Sequence, residues 1–213
     1  MMSLTEELNN FREEFLKTAP KEVLSEMNKA HEELLKNEVG KKALGTGDTF
    51  PDFTLNNSLG KEVSFKDLVS QNKYLIISFY RGGWCPYCNL ELKALQNELE
   101  TFKSLGAELV AITPEKPDHS LTTSEKNDLS FQVLSDVGSM LAQKLNISFE
   151  LPENLKPLYA QFGIEVDKRN GDFSLPIPST FIVSHEGEII FRFLDLDYTK
   201  RLDPKEIVRF LSE

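Results

Sequence analysis

The chain has 213 residues, 40% hydrophobic and 27% charged, the proportions of a globular protein with room for one domain and an extension. Its 34 acidic residues outnumber 24 basic ones, and the resulting net charge of −10 disfavours nucleic acid and anionic membranes as partners. No apolar run approaches the ~18 residues of a membrane span, and Met1–Glu7 lacks basic and apolar leader segments, so the expected location is cytoplasmic.

Residues 3–17 and 20–38 read as two amphipathic helices. Leu4, Leu8, Phe11 and Phe15 form one apolar stripe; Val23, Leu24, Met27, His31, Leu34 and Leu35 form the other. Pro20 suits the start of the second helix and Gly40 its stop. Both stripes are expected to pack on the rest of the chain, in preference to a partner or homodimer surface. His31 is expected to be a helix-face residue, not a ligand. These helices make an extension over 1–42, with the main domain over 43–213.

Asp52–Leu55 and Glu62–Ser64 read as a hairpin across Asn56–Lys61, followed by a helical turn or two at Phe65–Val69. Tyr74–Tyr80 is a buried strand, rich in β-branched and aromatic residues. Pro86 to about Leu105 is an amphipathic helix with Leu90, Leu92, Leu95, Leu99 and Phe102 as its apolar positions. Ala107–Thr113 is a second buried strand, so the three form a right-handed β-α-β unit with parallel strands. A polar helix is expected over 117–127, a strand at Gln132–Leu134, and a helix with Met140, Leu141 and Leu145 capped by Ser135/Asp136. Leu155, Leu158, Tyr159 and Phe162 suggest a helix ending at Gly163, and Asp167–Asp172 an exposed turn. A hairpin, Ser179–Val183 with Glu188–Phe193, and a helix from Pro204 with Asp203 as N-cap complete a mixed sheet with helices on both faces.

Cys85 and Cys88 are the only cysteines, and they fall where the first buried strand turns into its helix. The helix N-terminus stabilises a thiolate there, and such settings lower a cysteine pKa from about 8.5 to roughly 3.5–7.5. A purely structural role would make both small buried side chains, which the strand–Gly–Gly–Trp–Cys–Pro–x–Cys context does not explain. A metal site needs two further ligands, and His31, His119 and His185 are scattered without paired spacing. Neither a metal nor a cofactor is therefore expected. Thiol–disulfide redox chemistry is the reading left: one thiolate attacks, and its partner resolves the intermediate.

Phe79–Cys88, together with Asp52–Leu55, Val133–Asp136 and Pro178–Val183, resembles the thioredoxin-fold peroxiredoxins of the alkyl hydroperoxide reductase/thiol-specific antioxidant family. The Arg–Gly–Gly–Trp–Cys–Pro–Tyr–Cys stretch and Asp197–Arg201 are similar to its Cys-x-x-Cys branch, and the resemblance covers about 45–213. It implies a thioredoxin-like α/β fold and an antioxidant oxidoreductase. On this reading a hydroperoxide is reduced through Cys88, with Cys85 closing an intramolecular disulfide reopened by a thioredoxin- or glutathione-type reductant. It also implies that Trp84, Arg81 and Pro178 border the substrate.

The pattern departs from that family at two points. Its Pro-x-x-x-Thr-x-x-Cys motif aligns with Arg81, Cys85 and Cys88, so a cysteine stands where the peroxide-orienting threonine belongs. Ile177–Pro178–Ser179 occupies the place of its second-half arginine, for which Arg81 or Arg192 is the expected substitute. Read instead as a thioredoxin motif, Cys85 is the exposed attacking thiol, Cys88 the buried partner, and Pro178 the cis-proline facing them, which makes the substrate a disulfide. A redox sensor read by a partner through residues 1–40 is the non-enzymatic alternative.

Overall fold

Strand β3 (Tyr74–Phe79) is the axis of the computed structural model, which describes residues 2–213. The chain enters it through helices α1 (Leu4–Thr18) and α2 (Lys21–Lys36), the hairpin β1 (Thr54–Asn57) and β2 (Glu62–Ser64), and helix α3 (Phe65–Gln71). It leaves through α4 (Pro86–Asn97), α5 (Leu99–Ser104), β4 (Ala107–Thr113), α6 (Pro117–Lys126), β5 (Gln132–Ser135), α7 (Met140–Lys144) and β6 (Ser148–Glu150). The last third holds α8 (Lys156–Gln161), α9 (Val166–Asn170), β7 (Ser174–Pro176), β8 (Ser179–Ser184), β9 (Ile189–Leu194) and α10 (Pro204–Ser212).

Seven strands form a mixed sheet in the order β2-β1-β5-β4-β3-β8-β9, with β3, β4 and β5 parallel and the outer pairs antiparallel. Its central strands are apolar throughout because helices cover both faces. Alternation along β3 sends Ile76 to one core, beside Leu92, Leu95, Phe102 and Ile182. Leu75, Ile77 and Phe79 go to the other, beside Phe50, Val110, Phe181 and Val183. Both cysteines belong to the first of these cores.

The N-terminal helices pack on the sheet domain through only part of each stripe, since Phe11 and Leu35 stay exposed. Ser3 caps α1 reciprocally: its hydroxyl accepts from Glu6 N–H at 3.3 Å while its own N–H donates to the Glu6 carboxylate at 2.8 Å. Leu4 and Leu8 are buried against α4, and Phe11 meets the Tyr87 ring edge-on at 5.1 Å. Ala30 of α2 is buried in a third cluster with Leu151, Leu155, Tyr159 and Leu175, with Met27 packed against it. No helix among the described residues is long and apolar enough to cross a membrane.

The structure corrects several local expectations. The helix from Pro86 does not run through to Leu105: Glu98, at φ −98° and ψ 3°, divides it into α4 and α5. Residues 167–172 are not simply an exposed turn, since α9 occupies 166–170 with Val166 and Asn170 buried. Strands β6 and β7 pair as a separate two-stranded sheet across a long loop, a contact that local pattern does not encode. Ser139, in left-handed conformation at φ 55°, precedes α7, while the Asp136 carboxylate reaches forward to accept from Leu141 and Ala142 N–H at 3.0 Å. Met140 is exposed and not part of the core.

Candidate active site

The site is built on the turn from β3 into α4. Cys85 is the N-cap of α4, Pro86 its first residue, and Cys88 lies one turn further on. The turn is clamped from three sides. Gly83 N–H donates to the Glu115 carboxylate at 2.8 Å, and Arg169 binds the same carboxylate. Asn89 donates to the Gly83 and Cys85 carbonyls at 2.9 Å each, and Asn127 donates to Asn89 at 2.8 Å. A Cβ on Gly83 would stand 2.1 Å from Thr123 Oγ1, which is itself held by the His119 carbonyl. Gly82 has φ 153°, and a Cβ there would meet Trp84 Nε1 at 2.3 Å. Gly83→Ala is expected to destabilise the fold by about 1–3 kcal/mol through this overpacking, read as a lower urea midpoint. An unchanged midpoint would mean that the turn yields freely.

Both thiols are free and buried, Cys85 at 2% exposure and Cys88 at 0%. Cys85 is thus not the exposed thiol that the thioredoxin pattern implies; it belongs to a core cluster with Leu4, Leu8 and Tyr87, against which Tyr198 packs. Two guanidinium groups flank the sulfurs. Arg201 Nη2 donates to Cys88 Sγ at 3.2 Å, while its Nε donates to Glu91 at 2.6 Å and Nη1 to the Tyr198 and Lys200 carbonyls at 2.6 and 2.7 Å. Arg81 donates to the Tyr159 hydroxyl and lies 4.9 Å over the rings of both Trp84 and Tyr198.

This setting splits the two titrations. Burial pushes the Cys85 thiol up, but the hydrogen bond from Cys88 and the charges of Arg81 and Arg201 prevail and bring it to about 6. Burial and the neighbouring Cys85 push Cys88 up, against Arg201. The directly contacted sulfur is therefore the one that holds the proton. The contradiction is only apparent, because the pair keeps one proton between two sulfurs and titrates as a unit. Moving it along the Cys88–Cys85 hydrogen bond leaves Cys88 as a thiolate against Arg201. Burial also raises Glu91, to about 7, in spite of the Arg201 ion pair.

Of the residues expected near the substrate, Arg81 and Pro178 line one cavity, and Trp84 stacks behind Arg81. No peptide bond among the described residues is cis, so Pro178 is preceded by a trans bond, the form favoured by about 0.5–1 kcal/mol for any X–Pro bond. Arg192 is not near the thiols: it donates to the Ala43 and Leu44 carbonyls at 2.7 and 3.1 Å. Arg201 stands beside the sulfurs instead, together with Arg81. Sequence pattern alone does not mark Glu91, Arg201, Tyr159 and Tyr198 as site residues. Glu91 did carry a signal, since a carboxylate interrupts the apolar face made by Cys88, Leu92 and Leu95.

The sequence and the fold are similar to those of known proteins. A bcp peroxiredoxin of Buchnera aphidicola subsp. Schizaphis graminum is 31% identical over 104 residues, which are 49% of this chain and 65% of that protein. The alignment therefore spans slightly less than two thirds of that relative. The thiol-disulfide oxidoreductase ResA of Bacillus subtilis is 24% identical over 152 residues, 71% of this chain and 68% of that protein. The crystal structure of peroxidoxin BcpB from Mycobacterium tuberculosis superposes with a TM-score of 0.63 at 17% identity, over 79% of this chain and 97% of that one, which shows a shared fold. The AhpC/TSA family profile matches residues 46–192, more than half of the sequence. The chain belongs to the AhpC/TSA family.

Proposed function

We propose that the protein is a thiol-dependent peroxidase in which Cys88 reduces a hydroperoxide and Cys85 closes the disulfide. The Arg201–Cys88 contact at 3.2 Å carries this reading. Four hydrogen bonds fix the guanidinium before any substrate arrives, so it serves the thiolate and then the alkoxide leaving from the peroxide without reorganising. The Cys88 thiolate takes the terminal peroxide oxygen, the O–O bond breaks, and the alkoxide leaves as an alcohol after protonation. Cys85 then displaces water from the sulfenic acid to form the disulfide. An external thiol of thioredoxin or glutathione type, as found in a reducing cytoplasm, returns the pair to the dithiol. Residues 43–213 hold every group that performs these steps, and α2 from the 1–42 extension walls the adjoining cavity.

One observation favours a second order of events. Cys85 is the sulfur with the lowered pKa and sits at the helix cap, which suits attack on a disulfide substrate. Mass spectrometry after substoichiometric hydroperoxide separates the two. The expected result is sulfenic acid on Cys88 in Cys85→Ser protein, and an unreactive Cys85 in Cys88→Ser protein. Sulfenic acid on Cys85 with an inert Cys88 would overturn the assignment.

A further inference from the structure

The two cysteines are held by different groups. Arg201 and Glu91 sit against Cys88, whereas the backbone just ahead of Cys85 is fixed by Glu115 and Arg169. Glu115 follows strand β4 and is wholly buried, where a carboxylate persists only with a cation and hydrogen-bond donors around it. Its one ion pair among the described residues is with Arg169. The other carboxylate oxygen accepts from Gly83 N–H at 2.8 Å, a charge-assisted bond two residues before Cys85. Arg169 stands on α9, a five-residue helix too short to be stable by itself. That helix is seated by Lys116, the residue after Glu115. Lys116 N–H donates to the Arg169 carbonyl and its Nζ to the Lys168 carbonyl, each at 2.9 Å. Buried Val166 and a bond from Asn170 Nδ2 to the Ser174 carbonyl at 3.0 Å add to the anchorage. Arg169 therefore meets Glu115 from a backbone that is already fixed.

We propose that Arg169 is a positioning residue for disulfide closure: through Glu115 it fixes the Gly83 turn so that Cys85 meets the oxidised Cys88. The inference rests on the peroxidase reading of the pair. In the closing step the Cys85 sulfur gives up its proton and bonds to the sulfenic sulfur of Cys88. The S–O bond breaks, and the departing hydroxide takes a proton to leave as water. The two sulfurs must be aligned for this displacement, and its rate falls steeply when the alignment is lost. Attack on the hydroperoxide makes a different demand. It uses Cys88 and Arg201, whose guanidinium is fixed by Glu91 and the Tyr198 and Lys200 carbonyls, a set that shares no member with the Glu115–Arg169 clamp. Without Arg169 the buried carboxylate takes up a proton or turns toward water, and its bond to Gly83 weakens either way. Loss of Arg169 therefore separates the two steps, slowing closure and sparing oxidation.

Single-turnover reaction of the full chain with substoichiometric hydroperoxide, quenched in acid at successive times, tests this, because intact mass separates dithiol, sulfenic acid and disulfide. Arg169→Met is expected to slow closure by about 10–10²-fold while sulfenic acid forms within about twofold of the wild-type rate. Two double variants bury no unpaired charge. Arg169→Met/Glu115→Gln keeps an acceptor for Gly83 N–H, and Arg169→Met/Glu115→Met removes it. The first is expected to close at nearly the wild-type rate, and the second as slowly as Arg169→Met. Circular dichroism checks each fold; should Arg169→Met alone not fold, the two double variants carry the comparison. Unchanged closure in Arg169→Met, equal slowing of both steps, or equal closing rates in the two double variants would overturn the proposal. Peptide mapping of the sulfenic acid tests the underlying reading separately. Oxygen on Cys85 faults the order of attack, while the lifetime of the sulfenic acid still judges Arg169.

Discussion

Arg201→Met is expected to slow hydroperoxide consumption by about 10²–10³-fold, the usual cost of removing one preorganised donor from a charge that develops in the transition state. Arg201 Nη2 lies 3.2 Å from Cys88 Sγ, held there by the further bonds of the same guanidinium to Glu91 and to two backbone carbonyls. The same substitution strands Glu91, which is buried and paired with Arg201 Nε, so stability is expected to fall by about 3–5 kcal/mol. A slow variant could thus be merely a damaged one. Adding Glu91→Gln removes the stranded charge and is expected to recover most of the stability while leaving turnover slow. Wild-type turnover in the double variant would reduce Arg201 to a structural partner of Glu91. Arg201→Lys is expected to be only a partial rescue, since one ammonium cannot serve Glu91, two carbonyls and a sulfur together.

The elements of the site were more legible than its electrostatics. The β3–turn–α4 unit is encoded locally, by an apolar strand, two glycines and a proline at the first helical position, and it stands where the pattern puts it. Arg201 comes from a connection between β9 and α10, more than 110 residues from Cys88 in sequence, and nothing local distinguishes it from Lys200 beside it. Only the fold, which lays that connection against the N-terminus of α4, buries one and leaves the other exposed. Arg192 fails for the converse reason. Its strand is encoded by local pattern, but strand alternation and register turn it toward the Ala43–Leu44 carbonyls. The Glu115–Arg169 pair was hidden because residues 167–172 look like a polar turn until α9 packs Val166 and Asn170 inward. The exposed thiolate of the thioredoxin pattern likewise gives way to packing, since Cys85 is buried in a core that also takes in Leu4 and Leu8 from outside the motif.

Stability in reductant is expected to pass through a shallow minimum near pH 6–7, set by two buried groups that titrate in opposite senses. Glu91 is held at about 7, above its ordinary 4.5, so the folded chain keeps a proton that the unfolded chain has lost. Its contribution is complete below about pH 4.5 and is lost as pH rises through 7. Cys85 is held at about 6, below its ordinary 9.0, so its contribution is complete above pH 9 and is lost as pH falls through 6. Stability therefore falls from about pH 4.5 to 6, where only Glu91 acts, and rises from about 7 to 9, where only Cys85 acts. The falling limb is worth about 2 kcal/mol and the rising limb about 3 kcal/mol, at 1.36 kcal/mol per pKa unit, since the two titrations cancel between pH 6 and 7. Urea midpoints measured at half-unit intervals resolve limbs of that size. Glu91→Gln is expected to abolish the falling limb alone, and replacing both cysteines, Cys85→Ser with Cys88→Ser, the rising limb alone, because the pair titrates as a unit. Closing the disulfide removes the Cys85 titration and is expected to flatten the rising limb as well. A wild-type profile that rises throughout, or a falling limb that survives Glu91→Gln, would show that Glu91 stays ionised against Arg201 across this range. Arg201 would then be neutralised by Glu91 before Cys88 could use its charge, and the thiolate would depend on Arg81.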